Sequence, residues 1–273
     1  MTGHVGGWLP RVGFFLGAVV ATAALIVAGD GGPAVAHAYA PAGAVGPVAA
    51  IAGLRPPLAG KIVGIDPGHN GRNYTDPAYI DQQVWNGREW ENCDTTGTET
   101  DGGYTEALFN FRVASYLRAD LIHDGARVVM TRDSNNGIGP CVNTRSAIIN
   151  KGHANVAVDI HADGGPASGR GFAVLEPVAD GPNDKVIGAS ARLGDDVRAA
   201  MLADTAMPVS DYDGKNGIKH RDDLAGLNLT TVPKILIEVG NMRNATDAKM
   251  LTSAKFQQEV ARTLLAAIIR FLR

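Results

Sequence analysis

The sequence is poor in cysteine: it holds two in 273 residues, Cys93 and Cys141, too few for a disulfide-built scaffold. Neither has the close-spaced companion that thiolate zinc sites show, which argues against that role for them. Positive charge is not in excess either. Lys and Arg number 25 against 28 Asp and Glu, a formal net charge of −3, and no polybasic run occurs. This argues against nucleic acid or an anionic surface as the main partner and points to a small or neutral one. No internal repeat is apparent, which sets repeat architectures aside.

The two ends of the chain differ in kind. Residues 1–40 read as an export signal: Arg11 precedes an apolar stretch, Val12 to Gly29, and Ala36-His37-Ala38 or Ala38-Tyr39-Ala40 offers small-x-small cleavage. The alternative is an uncleaved anchor, since a stretch of that length just spans a bilayer. Either way the body faces the outside of the membrane, periplasmic or wall-associated, with no stable membrane insertion once processed. Residues 41–60 are rich in Ala, Gly and Pro and read as a tether. Residues 61–273 suffice for one domain with a full core, a monomer by default. In an exported chain an even cysteine pair suggests one disulfide. Closing that loop would contribute about 4 kcal/mol in the chain-entropy model; two free thiols are the alternative.

Three polar residues end short apolar, β-branched runs: His69 after Lys61 to Ile65 and the turn that follows, His161 after Val156 to Ile160, and Glu238 after Lys234 to Ile237. Such runs read as buried strands, and polar side chains where a sheet gives way to loops tend to be site residues. A lone strand-end histidine is more often a hydrogen-bonded structural residue. His161 and Glu238 resist that reading, because an unpaired polar group there costs about 1 to 3 kcal/mol and a charge more. Glu106 opens a helical pattern, Leu108, Phe111, Ala114, Leu117 and Leu121, that Gly125 closes. A carboxylate there also suits the helix dipole, but Gly102-Gly103 just upstream suggests a close approach of the chain. Two imidazoles and one carboxylate, His69, His161 and Glu106, make a catalytic zinc set with one position left for water; Glu238 is then the candidate base. Further helices are expected over Asn143 to Asn150, Val186 to Leu202, and around Phe256, Val260, Leu264, Ala267 and Phe271. Alternation of strand and helix predicts a single α/β domain, a mostly parallel mixed sheet flanked by helices on both faces.

In order along the chain, Gly64-Ile65-Asp66-Pro67-Gly68-His69-Asn70-Gly71, Glu106 with Asn110, Val129-Met130-Thr131-Arg132, Arg145, Val158-Asp159-Ile160-His161-Ala162 and Ile237-Glu238-Val239-Gly240-Asn241 resemble the zinc-dependent N-acetylmuramoyl-L-alanine amidases of bacterial cell walls, type 3 family. The resemblance runs from about Lys61 to Arg273. It implies cleavage of the amide between N-acetylmuramic acid and the L-alanine of the stem peptide, in peptidoglycan or muropeptide fragments. Carried over, His69, Glu106 and His161 hold Zn2+ and Glu238 is the catalytic glutamate. Asp66 and Asn241 become candidates for orienting the ligands, with local turn capping as the plainer reading. The competing readings are a zinc peptidase cutting within the stem and a non-catalytic wall-binding protein.

Two departures from that family matter. Members that answer to divisome activators carry an extra helix that blocks the zinc site; the interval between His161 and Glu238 leaves no obvious room for a long one, and Val186 to Leu202 reads as framework. An open site is therefore expected. The second departure is the turn-rich insertion from Tyr74 to Thr100, with Trp85 and Trp90, which either walls the substrate groove or is a surface loop pinned by Cys93. No second wall-binding module is visible, so glycan contacts fall to the catalytic face: Trp85, Trp90, and Lys219, His220 and Arg221. The last three also read as solvated loop charges.

Overall fold

The structure, a computed structural model, describes residues 55–273; the expected export signal, residues 1–40, and most of the expected tether lie outside them. From Arg55 the chain runs through β1 (Ile62–Pro67), α1 (Pro77–Ile80), β2 (Gln83–Trp85), β3 (Trp90–Asn92), α2 (Glu106–His123), β4 (Arg127–Met130), α3 (Val142–Lys151) and β5 (Val156–Asp163). It continues through β6 (Ala173–Pro177), α4 (Ile187–Asp204), β7 (Ile218–Arg221), α5 (Ala225–Asn228), β8 (Lys234–Asn241), α6 (Ala245–Leu251) and α7 (Ala254–Phe271). Packing begins inside the expected tether: Leu58 is fully buried, and its amide donates to Asp124 O at 3.0 Å. No helix among the described residues is long and apolar enough to cross a membrane.

Six strands form one sheet in the order β4-β1-β5-β8-β6-β7. All neighbours are parallel except β6 and β8, so the sheet is mixed and mostly parallel, as expected. β2 and β3 form a separate antiparallel hairpin. Successive side chains of a strand point to opposite faces, and here the two faces differ. Val63 and Ile65 of β1, Val156, Val158 and Ile160 of β5, and Ile235, Ile237 and Val239 of β8 join the main core with α2, α4 and α7. Each such side chain, fully buried, contributes roughly 1.5 to 3 kcal/mol.

The other face is covered more thinly. Ile149 of α3 packs on Ala157, and Leu227 of α5 on Ala173, Leu175 and Leu236. On that face the alternation also sets Asp66, Asp159, His161 and Glu238. The sparse cover leaves the space a substrate needs.

α2 begins where the capping chemistry dictates: Thr105 is extended, and its side chain accepts from Leu108 N, which makes Glu106 the first helical residue. Gly102-Gly103 mark no tight approach: a Cβ on Gly102 would meet only Thr100 Oγ1, at 3.8 Å. A Cβ on Gly103 would meet nothing within 4 Å; its φ of 77° is what requires glycine.

Candidate metal centre

His69 lies two residues beyond β1, with φ 55°, a left-handed conformation that a non-glycine residue adopts only when its surroundings impose it. Two buried guanidinium groups impose it. Arg145 donates to Pro67 O at 2.8 Å and His69 O at 2.9 Å, and Arg132 donates to Pro67 O at 2.8 Å and Gly68 O at 3.1 Å. His161 and Glu238 sit within β5 and β8, not beyond their ends, and are register partners.

The three expected ligands converge. His69 Nε2 lies 3.3 Å from Glu106 Oε2 and His161 Nδ1 2.8 Å from Glu106 Oε1, and one donor atom from each residue falls within 4.8 Å of the others. Thr98 N donates to Glu106 Oε2 at 3.0 Å and Asn110 Nδ2 to Oε1 at 3.4 Å. Burial opposes ionisation throughout, yet the histidines outweigh it and hold Glu106 well below the usual carboxylate range. Burial likewise opposes a charged His69, but the Glu106 carboxylate, aided by Asp94, pushes its pKa up to about 9. The cluster thus binds protons avidly, and its donor set of two imidazoles and one carboxylate is one that a divalent zinc ion fits in their place.

A buried ionic network backs both histidines. Asp94 faces His69 Nδ1 at 3.1 Å and takes a bond from Arg145 at 3.0 Å. Arg145 also reaches Asp66 at 3.1 Å, and Asp66 accepts from Lys234 Nζ at 2.7 Å. Lys234, 1% exposed, pairs in turn with Asp159 at 3.0 Å. Asp159 Oδ1 stands 3.3 Å from His161 Nε2, close enough for an ion pair though it receives no well-directed hydrogen bond. Asp66 therefore acts two contacts away from a ligand. Asn241 is not at the cluster at all: its Nδ2 ties down Pro166 O and Gly169 O, and its Oδ1 takes Arg243 N in a turn.

The groups that touch the histidines, Asp94 and Asp159, were not singled out from the sequence, and neither was Lys234. Period-two alternation from His161 would have found Asp159. Nothing local marks Asp94, which is brought in by a long excursion of the chain.

A cavity of about 280 Å3 opens beside the cluster, with His69, His161 and Glu238 facing apolar Leu175, Leu224 and Leu236. Glu238 Oε2 is buried without a hydrogen-bond partner, and burial pushes the carboxyl pKa up to about 8. A second cavity of about 230 Å3 shares Glu238 and Arg221 and adds Lys219 and Tyr212. Lys219, His220 and Arg221 belong to edge strand β7, not to a loop; His220 is exposed and lines neither cavity.

Both readings of the Tyr74 to Thr100 insertion hold in part. Glu91, Asn92, Asp94 and Thr95 wall the first cavity, and the segment is pinned by a Cys93–Cys141 disulfide. Trp85 and Trp90 are not in that wall; they are exposed.

Comparison with known proteins points to one family. A family model described as N-acetylmuramoyl-L-alanine amidase matches residues 63–270. The N-acetylmuramoyl-L-alanine amidase Rv3717 of Mycobacterium tuberculosis is 40% identical over 222 residues, 79% of this chain and 88% of that protein. The crystal structure of the N-acetylmuramyl-L-alanine amidase Ami1 from Mycobacterium smegmatis is 40% identical, with 79% of this chain and 98% of that one covered, at a TM-score of 0.74. Apo Ami1 from Mycobacterium abscessus is also 40% identical, with coverage of 79% and 100% and a TM-score of 0.75.

Proposed function

The chain belongs to the N-acetylmuramoyl-L-alanine amidase family, and from that premise we propose that it is an exported, zinc-dependent member that cleaves the amide between the lactyl group of N-acetylmuramic acid and the L-alanine of the stem peptide. The observation that carries the zinc is the convergence of His69, Glu106 and His161 donor atoms within 4.8 Å of one another. These three residues would hold the ion. Bound there, zinc supplies polarisation of the scissile carbonyl and a more acidic water.

The remaining work falls to side chains of this protein. Glu238 takes a proton from the attacking water at the carboxylate and delivers one to the leaving amine, the exchange a buried glutamate with raised proton affinity suits. Asp94, with the Thr95 carbonyl, fixes the His69 ring, so that its other nitrogen is turned to Glu106. The apolar wall of Leu175, Leu224 and Leu236 excludes water on one side of the reacting amide.

Mass spectrometry of muramoyl-dipeptide to muramoyl-pentapeptide fragments tests this, with zinc-loaded protein against a chelated control. A free peptide beginning in L-alanine, seen only with zinc, is the expected product. Shortened stems still attached to muramic acid would make the protein a zinc peptidase, and no cleavage of any fragment or polymer would remove the enzymatic reading.

A further inference from the structure

Two of the three tryptophans of the sequence lie on one small hairpin and are left in solvent. Trp85 and Trp90 are register partners of β2 and β3, with ring centroids 5.8 Å apart and exposures of 45% and 65%. An exposed aromatic pair is costly to leave bare and marks an interaction surface. From these indoles we propose that the outward face of the hairpin is a docking platform for the glycan strand of the wall polymer, next to the muramoyl unit being cut. The proposal rests on the amidase reading and deepens it, since it makes the polymer the preferred substrate.

The chemistry of the face decides the occupant. In an antiparallel pair, directly opposed residues share a face, and so do residues two positions on. Trp85, Trp90, Gln83 and Asn92 therefore point the same way, and Gln83 Nε2 donates to Asn92 Oδ1 at 2.5 Å. The face offers two indoles and two amides, with one carboxylate, Asp81, that accepts from Asn92 Nδ2 at 3.3 Å. A hexosamine ring presents a flat array of C–H bonds with hydroxyl and acetamido groups around its edge, so it can stack on the one and hydrogen-bond the other. A neutral saccharide, rich in hydroxyl donors, suits indoles flanked by amides and a carboxylate, whereas an acidic partner would meet the Asp81 charge.

Position and rigidity support the same occupant. The hairpin abuts the site: Glu91, on the opposite face, accepts from Ala225 N at 3.0 Å, and Glu91 together with Asn92 of the indole face lines the cavity that holds His69, His161 and Glu238. Asn92 thus joins the indole face to the cavity. The hairpin does not need to order itself on binding. Asn86 caps its turn by accepting from Arg88 N and Glu89 N at 2.9 and 2.8 Å, Arg88 pairs with Asp222 at 2.5 Å, and Cys93 at its foot is bridged to Cys141. A preformed platform loses little conformational entropy when it is occupied.

The test uses the full chain and measures its binding to wall glycan freed of stem peptides, which holds no amide for the protein to cut. Trp85→Ala with Trp90→Ala should weaken binding at least about tenfold, the scale on which lost stacking aromatics act, and Trp85→Phe with Trp90→Phe should restore most of it. Equal binding by the alanine form would overturn the proposal, as would a folded phenylalanine form that binds no better than the alanine form. A concentration-dependent dimer that the alanine pair abolishes, with glycan binding intact, would assign the indoles to a second copy instead. Fragment cleavage by unaltered protein is scored separately. Glycan binding without cleavage would remove the amidase reading and leave the platform, and cleavage with no glycan binding would do the reverse.

Discussion

His161 and Glu238 face each other in register on adjacent parallel strands, β5 and β8, so the backbone ladder itself sets the separation between an expected zinc ligand and the expected base. His161 reaches toward Glu106 at 2.8 Å, while Glu238 keeps one buried oxygen free of any partner. One residue therefore contacts the candidate ligand set and its neighbour stands free as the candidate base. Glu238→Gln, which keeps size and burial but not basicity, should bind zinc as the parent does and lose turnover by about 100- to 10,000-fold. Paired zinc analysis and product assays check this; undiminished turnover would take Glu238 out of the mechanism.

Much of the fold is legible in the sequence because its signals are local. β1, β5 and β8 are apolar β-branched runs, and α2 carries a cap, a periodic face and a closing Gly125. The candidate ligands are legible because His161 closes such a run, His69 follows the turn after another, and Glu106 opens a capped helix. What stayed hidden depends on distance in sequence. Asp94 reaches His69 only because Tyr74 to Thr100 folds back over the site, and Lys234 opens an apolar run in the sequence while Asp66 and Asp159 enclose its ammonium in the fold. β6 and β7 add to β8 beyond the parallel core through contacts that no local pattern announces.

Metal should change the pH dependence of stability. His69 is raised from 6.5 to about 9, so in metal-free protein its contribution is complete below about pH 6.5 and is lost as pH rises through about 9. Glu238, raised from 4.5 to about 8, acts in the same direction, since its protonated form is the one favoured by folding. The metal-free chain should lose stability as pH climbs from about 5 to 9, while zinc, freed from proton competition, binds more tightly. The gap in melting temperature between zinc-loaded and chelated protein should widen over that range. A constant gap would separate these residues from the metal.

Lys234 is shared by Asp66 and Asp159, at 2.7 and 3.0 Å, and the pair holds its pKa up against burial. Lys234→Met removes the charge and leaves two buried carboxylates facing each other. The cost should be about 3 to 5 kcal/mol, read by denaturant unfolding. Asp159→Asn placed in that background should recover part of the loss, because it removes one of the stranded charges; strictly additive effects would mean that the two residues do not interact.

The disulfide joins the segment that carries Asp94 to the start of α3, which carries Arg145, and these two side chains meet at 3.0 Å. Reduction frees a loop whose closure contributes about 4 kcal/mol in the chain-entropy model. It should also slacken the contact that orients His69. Reduced protein is expected to melt lower and to give up zinc to a chelator more readily than oxidised protein. A lower melting point with unchanged zinc retention would confine the bridge to stability.

At Gly97 the covering segment leaves no room for a side chain above the ligands. The residue adopts φ 71°, and a Cβ there would sit 2.7 Å from both Glu106 Oε2 and His69 Cδ2. Both the conformation and the space demand glycine, and the atoms in the way belong to two of the three expected ligands. Neither ligand can give way easily, since Glu106 is held by Thr98 N and His69 by Asp94. Gly97→Ala should therefore act on the metal more than on the fold: zinc affinity should fall at least about tenfold while stability drops by only about 1 to 3 kcal/mol. Chelator competition and unfolding measured on the same preparation separate the two effects. A variant that lost stability and kept its zinc would show the segment moving aside as a unit, with Glu106 and His69 undisturbed beneath it.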